Sequence, residues 1–215
     1  MTTIDTIRKS FFIDGGWRAP AGSATIPVIS PLTEEQFGSV PEATTADVDA
    51  VAAGAALDLL REVELVLETL SAAPAPELRS GGLGVREVKR LTKATGVDER
   101  RLGLILEVAL AAGLIAAGVP EPEPPDTGSY WAPTVAADRF IESPMAVKWH
   151  LLATAWLDLP GRPSLVGVRG PDGKPYAALS DSLFSTAAPL DRRLLLTLLA
   201  ELPPGSGVDA ASASR

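Results

Sequence analysis

Apolar residues recur along this chain with two different periods, and the change from one to the other marks out its elements. Between residues 10 and 40, β-prone runs alternate with turn formers: Phe11-Phe12-Ile13, Asp14-Gly15-Gly16, Trp17-Arg18, and Thr25-Ile26-Pro27-Val28-Ile29-Ser30 before Pro31. Short runs bounded in this way predict hairpins. From residue 44 the period lengthens. Thr44 or Thr45 is placed to cap a helix whose first turn carries Asp47 and Asp49. Val48, Val51, Ala52 and Ala55, then Leu59, Leu60, Val63, Val66, Leu67 and Leu70, keep helical spacing, which predicts one long helix ending before Ala72-Ala73-Pro74-Ala75-Pro76.

After Gly81-Gly82-Leu83-Gly84 the pattern predicts a short helix with Val85, Val88 and Leu91 on one face and Arg86, Lys89, Arg90 and Lys93 on the others, stopping near Gly96. Asp98 is a good N-cap for a third helix with the core stripe Leu102, Ile105, Leu106, Ala109 and Leu110, and Gly113 is placed to end it. Its outward positions should include Gly103, Leu104, Glu107, Val108 and Ala111. Leu114-Ile115 leaves as a strand and Tyr130 to Thr134 returns as another, across the Pro-rich acidic loop Val119 to Gly128. Two helices joined by Thr95-Gly96-Val97 and followed by such a strand pair have the shape of a helix-turn-helix with a wing. Ser143-Pro144 predicts the start of a further helix, with Trp149, Leu152, Ala153 and Trp156 as its core face. Leu165 to Val168 and Tyr176 to Leu179 flank Pro171-Asp172-Gly173-Lys174 and predict a hairpin, Leu190 to Leu202 a last amphipathic helix, and 205–215 a disordered tail.

Charge sharpens this picture. The 215 residues carry a net charge of −8, yet 79–101 hold 7 basic side chains against 3 acidic ones, while 1–50 hold 3 against 7 and 102–130 hold 0 against 4. The positive potential is thus expected on the predicted helix pair. The chain has no Cys and one His, His150, which leaves no disulfide, thiolate metal site or cysteine nucleophile among these residues, and no metal or cofactor is expected. No run of about 18 apolar residues occurs, and MTTIDTIRKSFF lacks a signal-peptide core, so a cytoplasmic chain without membrane contact is expected.

Phe12-Ile13-Asp14-Gly15-Gly16-Trp17, Ile26 to Glu35, and Phe37 to Thr44 with Asp47-Val48-Asp49-Ala50 closely resemble the start of aldehyde dehydrogenases, over about 11–52. That family implies a reactive thiolate and a dinucleotide fold. Neither a Cys nor a G-x-G-x-x-G occurs here, so no enzyme, and in particular no dehydrogenase, is expected. From about residue 55 to 210 the chain resembles the N-terminal region of XPB-type helicase-associated proteins of GC-rich bacteria, through Leu78 to Glu87, Ala111 to Ile115, Trp131-Ala132-Pro133-Thr134 with Asp138, Trp149 and Trp156-Leu157. This resemblance implies a winged-helix module associated with DNA transactions, and the two together imply a chimera.

The expected fold is therefore α+β and mostly helical: a stub over 1–54, a winged-helix module over 55–130, a helix and hairpin subdomain over 131–204, and the tail. Arg86, Lys89, Arg90, Lys93, Arg100 and Arg101 are the candidate DNA-binding residues, acting on phosphates through counterion release. The competing reading is a solvated helix face. The outward residues of the third helix offer almost no base-reading donors, so base recognition is not expected. Val168 to Pro175 fails as a phosphate loop because Val168 and Pro175 stand where Gly and Ser or Thr are needed. A lone His150 supports no catalytic constellation. The expected function is a non-catalytic helicase-associated module that contacts DNA backbone weakly or docks on a helicase. The alternatives are a protein-interaction or structural module without nucleic-acid binding, and a chimeric product without selected function.

Overall fold

The computed structural model describes residues 9–13, 16–123 and 128–202. It is α+β, with six helices and small antiparallel sheets among the described residues. The chain divides into two compact units, Met1–Leu57 with Leu199–Arg215, and Asp58–Leu198. The predicted tail, 205–215, lies outside the described residues, as do Asp14, Gly15 and 124–127.

In the first unit, β1 (Phe11–Ile13) pairs with β2 (Gly16–Arg18), and β3 (Thr25–Ile29) pairs with β4 (Gln36–Pro41) with a register shift at Val28/Ile29. Both predicted hairpins are present. They form ribbons of two strands, which cannot bury both faces. Trp17, Ile26, Ile29, Leu32 and Phe37 are accordingly exposed. The long helix α1 (Thr45–Ala72) starts at a reciprocal cap. Asp47 N–H donates to Thr44 Oγ1 at 3.3 Å, and Asp47 Oδ2 accepts from the Thr44 N–H at 2.8 Å and from its hydroxyl at 2.7 Å. Asp47 Oδ1 also accepts from the Ala21 N–H at 2.9 Å, tying the loop before β3 to the same turn. These donors, the Thr44 N–H first, hold the Asp47 carboxyl below the ordinary aspartate range.

The core lies in the second unit. From α1 onward the order is β5 (Ala75–Pro76), α2 (Val85–Thr95), α3 (Glu99–Ala111), β6 (Ile115–Gly118) and β7 (Tyr130–Pro133), and the sheet runs β5-β7-β6. Leu60, Val63, Val66, Leu67 and Leu70 of α1 are buried against α2 and α3 residues such as Leu91, Leu102 and Leu106. Each such side chain contributes about 1.5–3 kcal/mol on burial. Gly96 ends α2 in the left-handed conformation, φ 72°, and Asp98 caps α3 by accepting from the Arg100 and Arg101 N–H groups at 3.1 Å. Trp131 Nε1 donates to the Gly82 carbonyl at 3.2 Å, locking β7 to the turn before α2. Gly82 must be glycine there: φ is +82° and a Cβ would stand 2.7 Å from the Ala178 carbonyl oxygen.

Beyond β7 the chain departs from the pattern in four ways. Thr134 ends the strand as the N-cap of α4 (Val135–Glu142), a helix the periodicity does not predict, and α5 (Met145–Asp158) follows. Of the predicted α5 core face only Leu152 is fully buried, and Trp149 is 43% exposed. The predicted hairpin over 165–179 is a turn with isolated bridges, Val166 to Tyr176 and Arg169 to Pro175, beside a short 3-10 turn at Pro163–Leu165. The last helix, α6 (Ala188–Ala200), forms, but its leucines face solvent: Leu190 is 70% and Leu194 61% exposed. No helix among the described residues is long and apolar enough to cross a membrane.

Candidate functional site

The amphipathic pattern of α2 turns Val88 and Leu91 inward and leaves Arg86, Lys89 and Lys93 exposed at spacings of three and four, so they share one side of the helix. Arg90 is engaged elsewhere. Its Nε donates to Glu87 Oε2 at 2.6 Å and its Nη2 to the Ala73 carbonyl at 3.0 Å, which pins α2 to the end of α1. Arg101 pairs with Glu62 of α1. Arg100 is exposed at the start of α3 and makes no ion pair among the described residues. The six predicted cations therefore separate into two structural ion-pair partners and four solvent-facing charges.

Of the α3 residues expected to point outward, Ala111 is exposed and Leu104 half-buried, but the other three are not on the surface. Gly103, Glu107 and Val108 are buried, because α5 and the Pro163–Val166 segment pack on that side. Gly103 permits the approach: a Cβ there would sit 3.1 Å from Val166 Cβ and Cγ1. The sequence pattern misplaces this face because a stripe with Gly and one Glu looks solvated until its partner segment, some 60 residues later, is known. Glu107 receives the Leu179 N–H on Oε1 at 2.5 Å, and burial raises its carboxyl above the ordinary range against the smaller opposing effect of that bond. Leu179 itself has φ +59°, a left-handed conformation unfavourable for a branched side chain.

Two of the depressions beside these elements involve residues singled out above. One is an apolar groove of about 400 Å³ formed by α1, α3, α5 and α6, including Leu59, Val108, Trp149, Trp156 and Leu196. The predicted aromatic face of α5 is thus the wall of a groove, with Trp149 partly open to water. The other, about 640 Å³, lies at the start of α3 and is lined by Arg100, Arg101, Arg162 and Arg192 with Trp156 and Leu104. Sequence reasoning missed Arg162 and Arg192, which carry no motif and stand 61 to 92 positions from Arg100 and Arg101. His150 is exposed, and no group of three or more potential metal-binding His, Cys, Asp or Glu side chains occurs among the described residues.

Comparison with known proteins places a limited part of the chain. It is 54% identical over 48 residues to a betaine aldehyde dehydrogenase of Hordeum vulgare, covering 22% of this chain and 10% of that protein. It is 52% identical over 41 residues to a chloroplastic aminoaldehyde dehydrogenase of Arabidopsis thaliana, covering 19% and 8%. A peroxisomal aminoaldehyde dehydrogenase of Pisum sativum is 38% identical over 92 residues, covering 42% and 18%. That last match is longer than the stretch 11–52 on which the resemblance rests. The chain spans between about a tenth and a fifth of the length of these three relatives. No family model matches the chain. No solved structure matches it. These relatives overturn the expectation of a non-enzymatic chain: they are enzymes by name, and the missing cysteine describes only these 215 residues. What the chain shares with known proteins is segments of betaine and aminoaldehyde dehydrogenases.

Proposed function

We propose that the Asp58–Leu198 unit is a helicase-associated winged-helix module that works by docking on a helicase rather than by reading base sequence. The observation that carries this reading is α6, where Leu190, Leu194, Leu195, Leu196 and Leu198 are all 43% or more exposed. Leu190, Leu194 and Leu198 recur every four residues and share one side of α6, and exposed apolar surface of this kind on a charged chain marks a contact surface. The order α1, β5, α2, α3, β6, β7 with β7 central in the sheet supports the winged-helix part, being the succession of helix, strand, two helices and two strands that such modules use. Burial of Gly103, Glu107 and Val108 counts against α3 entering a major groove.

The test mixes the chain with a purified XPB-type helicase and, separately, with duplex and single-stranded DNA at about 50 and about 200 mM salt. Docking predicts co-sedimentation with the helicase that is lost when Leu194→Glu and Leu198→Glu are combined. A helicase that leaves the wild-type chain behind removes the reading. A second reading, weak sequence-independent contact with DNA phosphates, is favoured by the exposed row Arg86, Lys89 and Lys93. It predicts low-salt binding that falls steeply at the higher salt and disappears with Arg86→Glu and Lys93→Glu. For the hairpin unit, the aldehyde dehydrogenase matches make oxidation of betaine aldehyde or an aminoaldehyde the activity to assay. Turnover would require a nucleophile other than a cysteine of these residues.

A further inference from the structure

We propose that the cleft at the start of α3 binds a small organic phosphate of mononucleotide size. Its walls come from four parts of one unit: Arg100, Arg101 and Leu104 of α3, Trp156 of α5, Arg162 with Pro163, and Arg192 of α6. Four guanidinium groups meet there in a chain of net charge −8. The nearby carboxylates are fewer and committed. Asp98 caps α3, Asp191 lies 3.6 Å from Arg162, and Glu62 pairs with Arg101, which leaves Arg100 as the lining guanidinium of α3 with no ion pair among the described residues.

Arg192 is already oriented. Its Nη1 and Nη2 donate at 2.5 Å to the Leu159 and Gly161 carbonyls, and its guanidinium sits 5.6 Å from the centre of the Trp156 ring. Desolvation there lowers its proton affinity, against the smaller opposing pull of Asp191. A positive group held in place loses little freedom when an anion arrives, and with Nη1 and Nη2 turned to the two carbonyls Arg192 contributes a fixed charge to the cleft. Arg100, exposed and without an ion-pair partner among the described residues, supplies the free planar fork that matches two phosphate oxygens. The ligand is more than inorganic phosphate because Leu104, Trp156, Pro163 and Ala188 give the same cleft an apolar side, and about 640 Å³ suits a body of nucleoside size. The site is distinct from the leucine face of α6 and does not depend on the docking reading.

Calorimetric titration of the full chain with AMP, inorganic phosphate and adenosine tests this. The expected order is AMP tightest, phosphate weaker and adenosine weakest. Arg100→Glu and, separately, Arg162→Gln should each weaken AMP by about ten-fold or more, whereas Lys174→Glu, on a turn that does not line the cleft, should not. Melting temperatures within about 3 °C of wild type verify that the variants fold. AMP binding no tighter than adenosine overturns the proposal, as does equal weakening by Lys174→Glu. A short single strand of DNA that binds more tightly than AMP and is lost with Arg100→Glu would also overturn it, assigning the cleft to a polymer.

Discussion

At the scale of single residues, Glu107 and Leu179 form the most consequential pair in the second unit. A buried carboxylate normally sheds its charge or finds donors. Glu107 has one donor among the described residues, the N–H of Leu179, whose left-handed backbone that bond helps to hold. Because burial raises the folded-state proton affinity, the folded chain binds more protons than the unfolded chain once pH exceeds the ordinary glutamate range. The stability this group contributes is therefore complete at low pH and is lost as pH rises through the raised value. Glu107→Gln keeps an oxygen for the Leu179 N–H and removes the charge. Thermal melts of the two proteins between about pH 5 and pH 8 should show wild type losing ground to Glu107→Gln as pH rises, and parallel curves would refute the assignment. Glu107→Ala leaves the amide unpaired and should cost about 1–3 kcal/mol at any pH in that range.

At the scale of elements, what the sequence reveals depends on how local the determinant is. The caps of α1, α2 and α3 are written in adjacent residues, Thr44 with Asp47, Gly96, and Asp98, and they are legible for that reason. Helix α4 is not, because eight residues give one helical repeat, Ala137 with Phe140, and Thr134 looks as much like the end of a strand as a cap. The stretch 165–179 has strand-like apolar runs around a good turn, but its inner surface is spent on α3 instead of on a second strand. Gly103 is the hinge of that difference. Its missing side chain admits Val166, so Gly103→Leu should lift the segment or strain both partners, destabilising by about 1–3 kcal/mol as other overpacked cores do. Chemical denaturation gives that number directly. A neutral Gly103→Leu would mean that the segment is not seated on α3.

At the scale of the whole molecule, the buried core belongs to one unit. Every residue of the main hydrophobic cluster falls between Leu60 and Leu179, whereas the hairpin ribbons of 11–41 add no fully buried large side chain among the described residues. The sequence shows the contrast indirectly, through hairpin signals in the first quarter and a helical period afterwards. It does not show that four arginines from three distant stretches meet in one cleft, since tertiary packing alone brings them together. A division of this kind has a thermodynamic consequence, because hydrophobic burial supplies most of the folding free energy and entropy must be offset within each cooperative unit. A chain shortened to begin at Asp58 retains all of that cluster and loses the Thr44–Asp47 cap along with the first turns of α1. It should unfold in a single transition within about 8 °C of the full chain, with the near-ultraviolet signal of Trp131, buried against the Gly82 carbonyl, unchanged. Loss of that signal, or of cooperativity, would show that the first 57 residues are needed to complete the core, and would make the two units one.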